Sequence, residues 1–551
     1  MARQIKVVMA QLNFMVGDIE SNTALLIESA RQAVSEHNAD IIAFPELALT
    51  GYPPEDLLLR PSLGIRIEKA IAAILSERLE ICMVVGYPEK VGDKLYNSLA
   101  VIKGGSQLAN YRKQCLPNYQ VFDERRYFEH GEQACVIDIA GVEVGFTICE
   151  DMWDKGPVLQ ARDAGAKLLI NINASPYHLN KLSEREQLLQ QRSVEGGFPI
   201  IYVNLVGGQD ELVFDGGSLA TTEQGQCHYR APSFEEGLYP VSVDIQGEKQ
   251  LTCHIPHQTV AEVQSMEAQV YQSLVLGVRD YTNKNRFKAV VLGLSGGIDS
   301  ALTLAVAVDA LGKDRVHAVM MPFEYTSQLS LDAAAKQAKD LGVDYQVIPI
   351  AEIYSAFIDA LRVEFNNTEV DVSEQNIQAR CRGVLLMAIS NKKGHLVLTT
   401  GNKSEIAVGY STLYGDMAGG FDVLKDVSKS LVYKLASYRN HEYSSSKVEA
   451  IPQQVIDRPP SAELAPDQLD QDSLPPYHEL DRILELYVEQ DFSADAIIAE
   501  GFDETVVKRV LRLVDLNEYK RRQSPIGVRL TQRGFGRDRR YPITNAWPLG
   551  E

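Results

Sequence analysis

The sequence predicts an α/β protein built as two successive layered units. Three observations carry this. A first alternation of β-branched runs with helical stretches extends from the N-terminus to about Ile245. A second alternation begins at Lys288, beyond a polar connector. The length, 551 residues, exceeds what a single core serves.

In the first series, "IKVVMAQLN", "IIAFPEL", "ICMVVGYP", "GVEVGFTICED" and "AKLLININASP" are β-branched and bounded by Gly, Pro or Asp, which predicts strands. "SNTALLIESARQAVSEHN" has apolar residues at helical spacing behind a Ser/Asn start. The boundaries expected are a first domain over 1–245, a connector over 246–265 and a second domain over 266–551. A helix is expected near Ala261 to Asn283. The second series then runs through "VVLGLSGGIDSALTLAV", "RVHAVMMPF", "SLDAAAKQAKDLG", "DYQVIPI" and "HLVLTTGNKSE". Strand alternating with helix argues a layered sheet. Residues 441–477, rich in Ser, Pro, Asp and Gln, read as a long lid-like loop. A helical segment follows near Glu479 to Lys520, and the tail "YKRRQSPIGVRLTQRGFGRDRRYPITN" is strongly basic.

Composition narrows the function. The net charge of -20 argues against a nucleic-acid partner, because phosphate backbones need basic stripes. Seven cysteines without a CxxC pair predict neither a disulfide framework nor a zinc ribbon and fit a reducing cytoplasm. "MARQIKVVMAQLNF" reads as a first strand rather than a signal peptide. No apolar stretch reaches the roughly 18 residues of a membrane span, so no membrane association is expected.

"SGGIDS" places Ser295, Gly296, Gly297, Asp299 and Ser300 between a strand and a helix. Glycines let the backbone approach an anion, and helix N-terminal N–H groups favour negative charge. The serines add hydroxyl donors. Asp299 is out of place in an anion cradle unless a cation accompanies the phosphates, and Mg²⁺ is the usual one. The loop lacks the Lys of a Walker A motif. It resembles the pyrophosphate loop of the ATP-pyrophosphatase superfamily, which splits ATP between the α and β phosphates. That resemblance implies a Rossmann-like parallel sheet and a loop that holds departing pyrophosphate.

Three strings stand out upstream: "FPELALTGY" with Glu46, "YRKQCLPNY" with Lys113 and "VGFTICEDMW" with Cys149. A Cys at a strand end is placed as a nucleophile, a Glu can take its proton, and a Lys can support an oxyanion. Singly, each has a plainer reading as a core thiol, a helix-start carboxylate or a solvated charge. Cys115, with no base beside it, reads as packing. Together the three resemble the Glu-Lys-Cys set of the nitrilase, or carbon-nitrogen hydrolase, superfamily over roughly Ile5 to Ile245. The resemblance implies an α-β-β-α sandwich and brings in Glu124, in "FDERRYF", as a further acidic neighbour.

The two halves in this order resemble the glutamine-dependent NAD⁺ synthetases. "NASPYHLNKLSER", "NIQARCRG", "TTGNKSEIAVGY", "YGDMAGGF", "RPPSAEL" and "DSLPPY" carry the resemblance beyond the two motifs. It implies that Tyr119, Ser175 and Lys181 contact glutamine. Thr400 would touch ATP, Glu405 would ligate Mg²⁺ or face the dinucleotide, and Asn376 and Lys520 would face deamido-NAD⁺. Arg380, Asp416, Lys429 and Ser461 are further candidates. The basic tail would answer the charge of these substrates. "TTGNKSE" also reads as a helix N-cap. Ammonia released from glutamine would amidate an adenylated carboxylate, giving NAD⁺, AMP and pyrophosphate. Free ammonia is mostly protonated in neutral water, so a shielded tunnel between the domains is expected. Pairing of synthetase domains into a homo-oligomer is implied as well. The alternatives are an acceptor such as XMP or aspartate, or a first half that serves only as a scaffold.

Overall fold

The computed structural model describes residues 3–247, 251–366, 368–443 and 449–550, apart from 462, 466, 467, 469, 473 and 549. The chain divides into two compact units, residues 1–209 with 213–263, and 210–212 with 264–551.

The first unit contains two mixed sheets. In spatial order the seven-stranded sheet is Thr252–His254, Gly237–Gln246, Arg3–Gln11, Ile41–Ala43, Cys82–Val91, Lys94–Lys103 and Ser106–Arg112. The six-stranded sheet is Cys227–Arg230, Leu219–Thr221, Ile200–Asn204, Leu168–Asn173, Val142–Ile148 and Cys135–Ile139. Each has a parallel centre, registered Val7 with Ile41 and Ile41 with Cys82 in the first, Phe146 with Ile170 and Ile170 with Ile201 in the second. Alternate residues turn inward, so Val7, Met9, Val84 and Val101 share one buried cluster with Val144, Phe146, Ile170 and Ile201. The opposite face of the six-stranded sheet, at Leu169, Ile200 and Tyr202, packs on Val158 and Ala161 of the helix Lys155–Asp163 and on Leu189 of Lys181–Gly196. Helices Ile19–His37 and Pro61–Ser76 lie against the seven-stranded sheet. The result is an α-β-β-α sandwich.

In the second unit, five parallel strands are ordered Asp344–Val347, Val316–Met320, Ala289–Gly293, His395–Thr399, Phe421–Asp422. The first strand in sequence is central, and its two neighbours leave in opposite directions. A doubly wound sheet opens its ligand crevice at such a point. The "SGGIDS" loop leaves the carboxyl end of that central strand and runs into the helix Ile298–Leu311.

Several boundaries differ from the sequence reading. The first helix begins at Ile19, because the side chain of Asp18 accepts from Ser21 N–H and caps it two residues ahead of the Ser/Asn start. The stretch read as connector contributes the edge strand Thr252–His254, paired to Gly237–Gln246. The helix expected near Ala261 starts at Met266, capped by Ser265. The single helical segment read over 479–520 is broken at Asp491 and Gly501, both at positive φ. Of the lid-like loop, 444–448, 462, 466, 467, 469 and 473 lie outside the described residues; the rest includes the short helix Gln453–Asp457. Among the described residues no helix is long and apolar enough to cross a membrane.

Gly86 shows how tightly the Glu46 segment seats on its sheet: a Cβ there would lie 2.6 Å from Leu47 N and 2.7 Å from Pro45 O. Both atoms are backbone, so the segment must move to admit a methyl group. Gly86→Ala is expected to destabilise the chain by about 2 kcal/mol, read as a lower urea midpoint, and to depress glutamine hydrolysis in the surviving folded protein.

Candidate active sites

Lys113 follows the edge strand Ser106–Arg112 and its side chain is fully buried, as is that of Glu46. Its Nζ donates to Glu46 Oε1 at 2.7 Å and to Glu124 Oε1 at 2.7 Å. Glu46 Oε1 also accepts from Asn97 Nδ2 at 2.7 Å, and Oε2 from Ala174 N–H at 3.1 Å. Tyr52 OH donates to Glu124 Oε1 at 3.3 Å. Burial alone would lower the Lys113 ammonium, but Glu124 and Glu46 outweigh it and hold it well above its ordinary value. Burial pushes Glu124 up to about 7 against the pull of Lys113.

Cys149 ends the strand Val142–Ile148 and opens a short turn at φ 44°, the left-handed region. It is 6% exposed. Burial and the Glu46 carboxylate push its thiol well above the ordinary value while Lys113 pulls the other way. The resting side chain is therefore a thiol, and a base must take its proton before it attacks.

The residues expected at glutamine lie around this set. Tyr119, half exposed, donates its OH to both Glu150 carboxylate oxygens at 2.9 and 3.0 Å. Ser175 is held by buried Arg185, whose Nε donates to Ser175 Oγ at 3.2 Å and whose Nη1 pairs with Asp215 at 2.8 Å. Lys181 donates to Glu184 at 3.1 Å and stands 4.1 Å from the centre of the Trp153 ring.

In the second unit, a cavity of about 200 Å³ gathers Ser295, Gly296, Gly297, Asp299, Ser300, Thr400 and Glu405, together with Asp416, Lys429 and Ser461. Gly296 has φ 83°, and a Cβ on it would lie 2.4 Å from Ser330 O, so only glycine fits. The loop braces itself: Ser295 N–H donates to Ser300 Oγ at 3.2 Å, and Ser300 Oγ donates to Gly297 O at 3.0 Å. A second cavity of about 250 Å³ shares Ser295, Thr400 and Asp416 and is walled by apolar Leu294, Met321, Leu386 and Leu398.

Lys429 Nζ lies between two carboxylates, 2.6 Å from Asp299 Oδ2 and 2.8 Å from Glu405 Oε1. Burial, with Asp299 beside it, lifts the Glu405 carboxyl to about 7 although Lys429 opposes this. Paired hard oxygens that repel each other suit a divalent cation, so the residues fit Mg²⁺. No cluster of three such ligands occurs among the described residues. A cation that keeps water and takes phosphate oxygens needs none.

Asn376 and Lys520 line neither cavity. Thr412 Oγ1 donates to Asn376 Oδ1 at 2.8 Å, and Lys520 Nζ donates to Gly409 O and Ser411 O at 2.8 and 2.9 Å. Arg380 Nε donates to Leu413 O at 3.3 Å. All three hold the 409–416 segment, whose Tyr410, Ser411 and Asp416 do reach the first cavity. The basic tail departs from its expected role. Arg521, Arg522 and Arg539 pair with Glu518, just ahead of the tail, and Arg529 with Asp538 inside it, so these cations serve neighbouring carboxylates. Sequence reasoning missed Asn97, Arg185 and Asn402. Asn402 caps the helix Lys403–Val408 through Glu405 N–H, which its motif foretold, and also donates to Asp299 Oδ1 at 3.0 Å, 103 residues away, which no local pattern could reveal.

Known proteins match both units. The carbon-nitrogen hydrolase family matches residues 6–251 and the NAD synthase family residues 270–524. A glutamine-dependent NAD(+) synthetase of Acinetobacter baylyi is 49% identical over 99% of this chain and 99% of its own, and one of Thermotoga maritima is 42% identical over 98% and 99%. Among solved structures, the glutamine-dependent NAD⁺ synthetase of Acinetobacter baumannii, in complex with ADP, is 47% identical with a TM-score of 0.79 over the whole of both chains. That of Cytophaga hutchinsonii, at 21% identity and a TM-score of 0.83 over 99% and 98%, shares the fold. With identity of this order from end to end, the chain belongs to the glutamine-dependent NAD⁺ synthetase family of ligases.

Proposed function

We propose that the chain amidates deamido-NAD⁺ through an adenylated intermediate, using ammonia that it cuts from glutamine. One observation carries the adenylation step: the glycine loop, Asp299, Glu405 and Lys429 line one cavity that opens beside an apolar one. The apolar cavity suits an adenine ring, and the loop suits phosphates.

In the first unit Lys181, Tyr119 and Ser175 orient glutamine. The Cys149 sulfur attacks the carboxamide carbon as Glu46 takes the thiol proton. Lys113 donates to the oxygen that gains negative charge, and Glu124 keeps Lys113 cationic. Glu46 returns the proton to the leaving nitrogen, and ammonia departs. Glu46 then takes a proton from water, which cleaves the thioester to glutamate. In the second unit a nicotinate carboxylate oxygen attacks the α-phosphorus of ATP, and the 295–300 loop receives the departing pyrophosphate. Asp299 and Glu405 would hold Mg²⁺, which when bound neutralises phosphate charge. Ammonia then attacks the adenylated carbonyl, leaving NAD⁺ and AMP. Asn376 and Lys520 set the 409–416 wall toward the dinucleotide.

The synthetase unit also exposes several large apolar side chains. The helix Ala351–Leu361 has no buried residue, and Phe357, Val363, Val370, Val372 and Val384 are exposed. A surface of this kind supports pairing with a second copy.

NAD⁺ formation from ATP, Mg²⁺ and deamido-NAD⁺ tests the whole reading. Cys149→Ala should lose glutamine-driven synthesis by about 1,000-fold or more and keep ammonium-driven synthesis. No NAD⁺ from either nitrogen source in the unaltered protein would sink the acceptor assignment. Val384→Glu should shift the mass measured by light scattering to a smaller species. Burial lifts the Asp422 carboxyl in the cavity wall to about 7 from an ordinary 3.8. The folded state then holds a proton that the unfolded chain has lost, so stability falls as pH rises through that window. The urea midpoint should therefore drop between pH 5 and pH 8, and Asp422→Asn should flatten the drop.

A further inference from the structure

The turn that presents Cys149 and the loop that presents Lys113 are joined by one side chain that the mechanism above does not use. Asp151 is fully buried. Its Oδ1 accepts from Gln114 N–H at 3.0 Å and Cys115 N–H at 2.8 Å. Its Oδ2 accepts from Ile148 N–H at 3.0 Å and from Tyr111 OH at 2.8 Å. Three of these donors, on residues 111, 114 and 115, flank Lys113, and the fourth, on Ile148, directly precedes Cys149.

These donors come from different sheets. Tyr111 lies in the edge strand of the seven-stranded sheet, and Ile148 ends a strand of the six-stranded one. The core between the sheets is built of apolar side chains, whose contacts have no fixed direction. A carboxylate with both oxygens saturated from both sides resists displacement, because each lost bond leaves a buried N–H or oxygen unpaired. Cys149 also sits at φ 44°, a strained conformation that persists only where neighbours over-determine it. The Ile148 N–H bond to Asp151 closes that turn.

We propose that Asp151 is a positioning residue for amide hydrolysis: it sets the separation between the Cys149 sulfur and the Lys113 ammonium. This rests on Cys149 as nucleophile and Lys113 as oxyanion donor. An acid at this place needs no contact with substrate, since all of its acceptor directions already point at the protein.

Asp151→Asn keeps the shape but turns one oxygen into a donor facing donors. Tyr111→Phe, a milder change, removes one bond of the four. Misplacement of reacting groups by an ångström costs about 100-fold in rate. In the full-length enzyme, glutamine-driven NAD⁺ formation should fall by about that factor for Asp151→Asn and by about tenfold for Tyr111→Phe, in kcat with the KM for glutamine little changed. Ammonium-driven synthesis should be unaffected. A second readout separates positioning from loss of fold: the pH profile for alkylation of Cys149 by iodoacetamide, followed on the Cys149 peptide by mass spectrometry. Because Lys113 lowers the thiol from its raised value, a receding Lys113 moves the profile to higher pH, whereas an unfolded pocket moves it to the lower, ordinary position. An unchanged kcat in both variants, or a profile that moves to lower pH, would overturn the proposal. Cys149→Ala is the control for the reading beneath it: if that variant still used glutamine, the nucleophile assignment itself would fail.

Discussion

The buried ammonium of Lys113 is the interaction on which the first unit depends. A cation removed from water demands compensation, and here two carboxylates supply it at hydrogen-bond distance. Neither carboxylate is spare. Glu46 is also held by Asn97 and by the backbone at Ala174, and Glu124 by Tyr52. Removing Lys113 would leave two buried carboxylates without their cation, and removing either carboxylate would leave the ammonium with one partner instead of two, so the segments carrying Glu46, Lys113 and Glu124 meet at fixed places. The second unit uses the same device, with Lys429 between Asp299 and Glu405. The two differ in their surroundings. The ammonium and Glu46 of the first are fully buried, whereas all three members of the second line a cavity.

The sheets prepare these meetings. In the sandwich, the catalytic candidates stand at strand ends or just beyond them, where backbone regularity stops and side chains can converge. In the parallel sheet, the central strand delivers the glycine loop to the switch point and the next strand inward from the edge delivers Thr400, so two segments far apart in sequence share one cavity. Burial then tunes the carboxyls. Glu124, Glu405 and Asp422 all stand near 7 because water is excluded from them.

Much of this was legible from the chain alone. Glu46 and Cys149 each follow a strand whose β-branched pattern is plain, and "SGGIDS" has the glycine that its φ of 83° requires, whereas Lys113 follows Ser106–Arg112, a strand without a β-branched residue that only sheet pairing reveals. Local pattern also signalled Asn402 as a cap. It could not show that the same side chain reaches Asp299, or that Asp151 bridges two sheets, because those partners are set by tertiary packing. The basic tail misled for a related reason: Glu518, one residue ahead of it, pairs locally with Arg521 and Arg522, but Arg539 reaches Glu518 and Arg529 reaches Asp538 only when the chain turns back. The helical segment expected over 479–520 is interrupted where Asp491 and Gly501 take positive φ, a turn of the chain that its composition does not mark at Asp491.

The 295–300 loop braces itself with its own serines, while Asn376 and Lys520 anchor to the separate 409–416 segment. The loop and the segment are thus braced by separate hydrogen bonds although Tyr410, Ser411 and Asp416 line the same cavity as the loop. A lineage, or a designer, can therefore reshape one wall of that cavity without breaking a bond inside the loop.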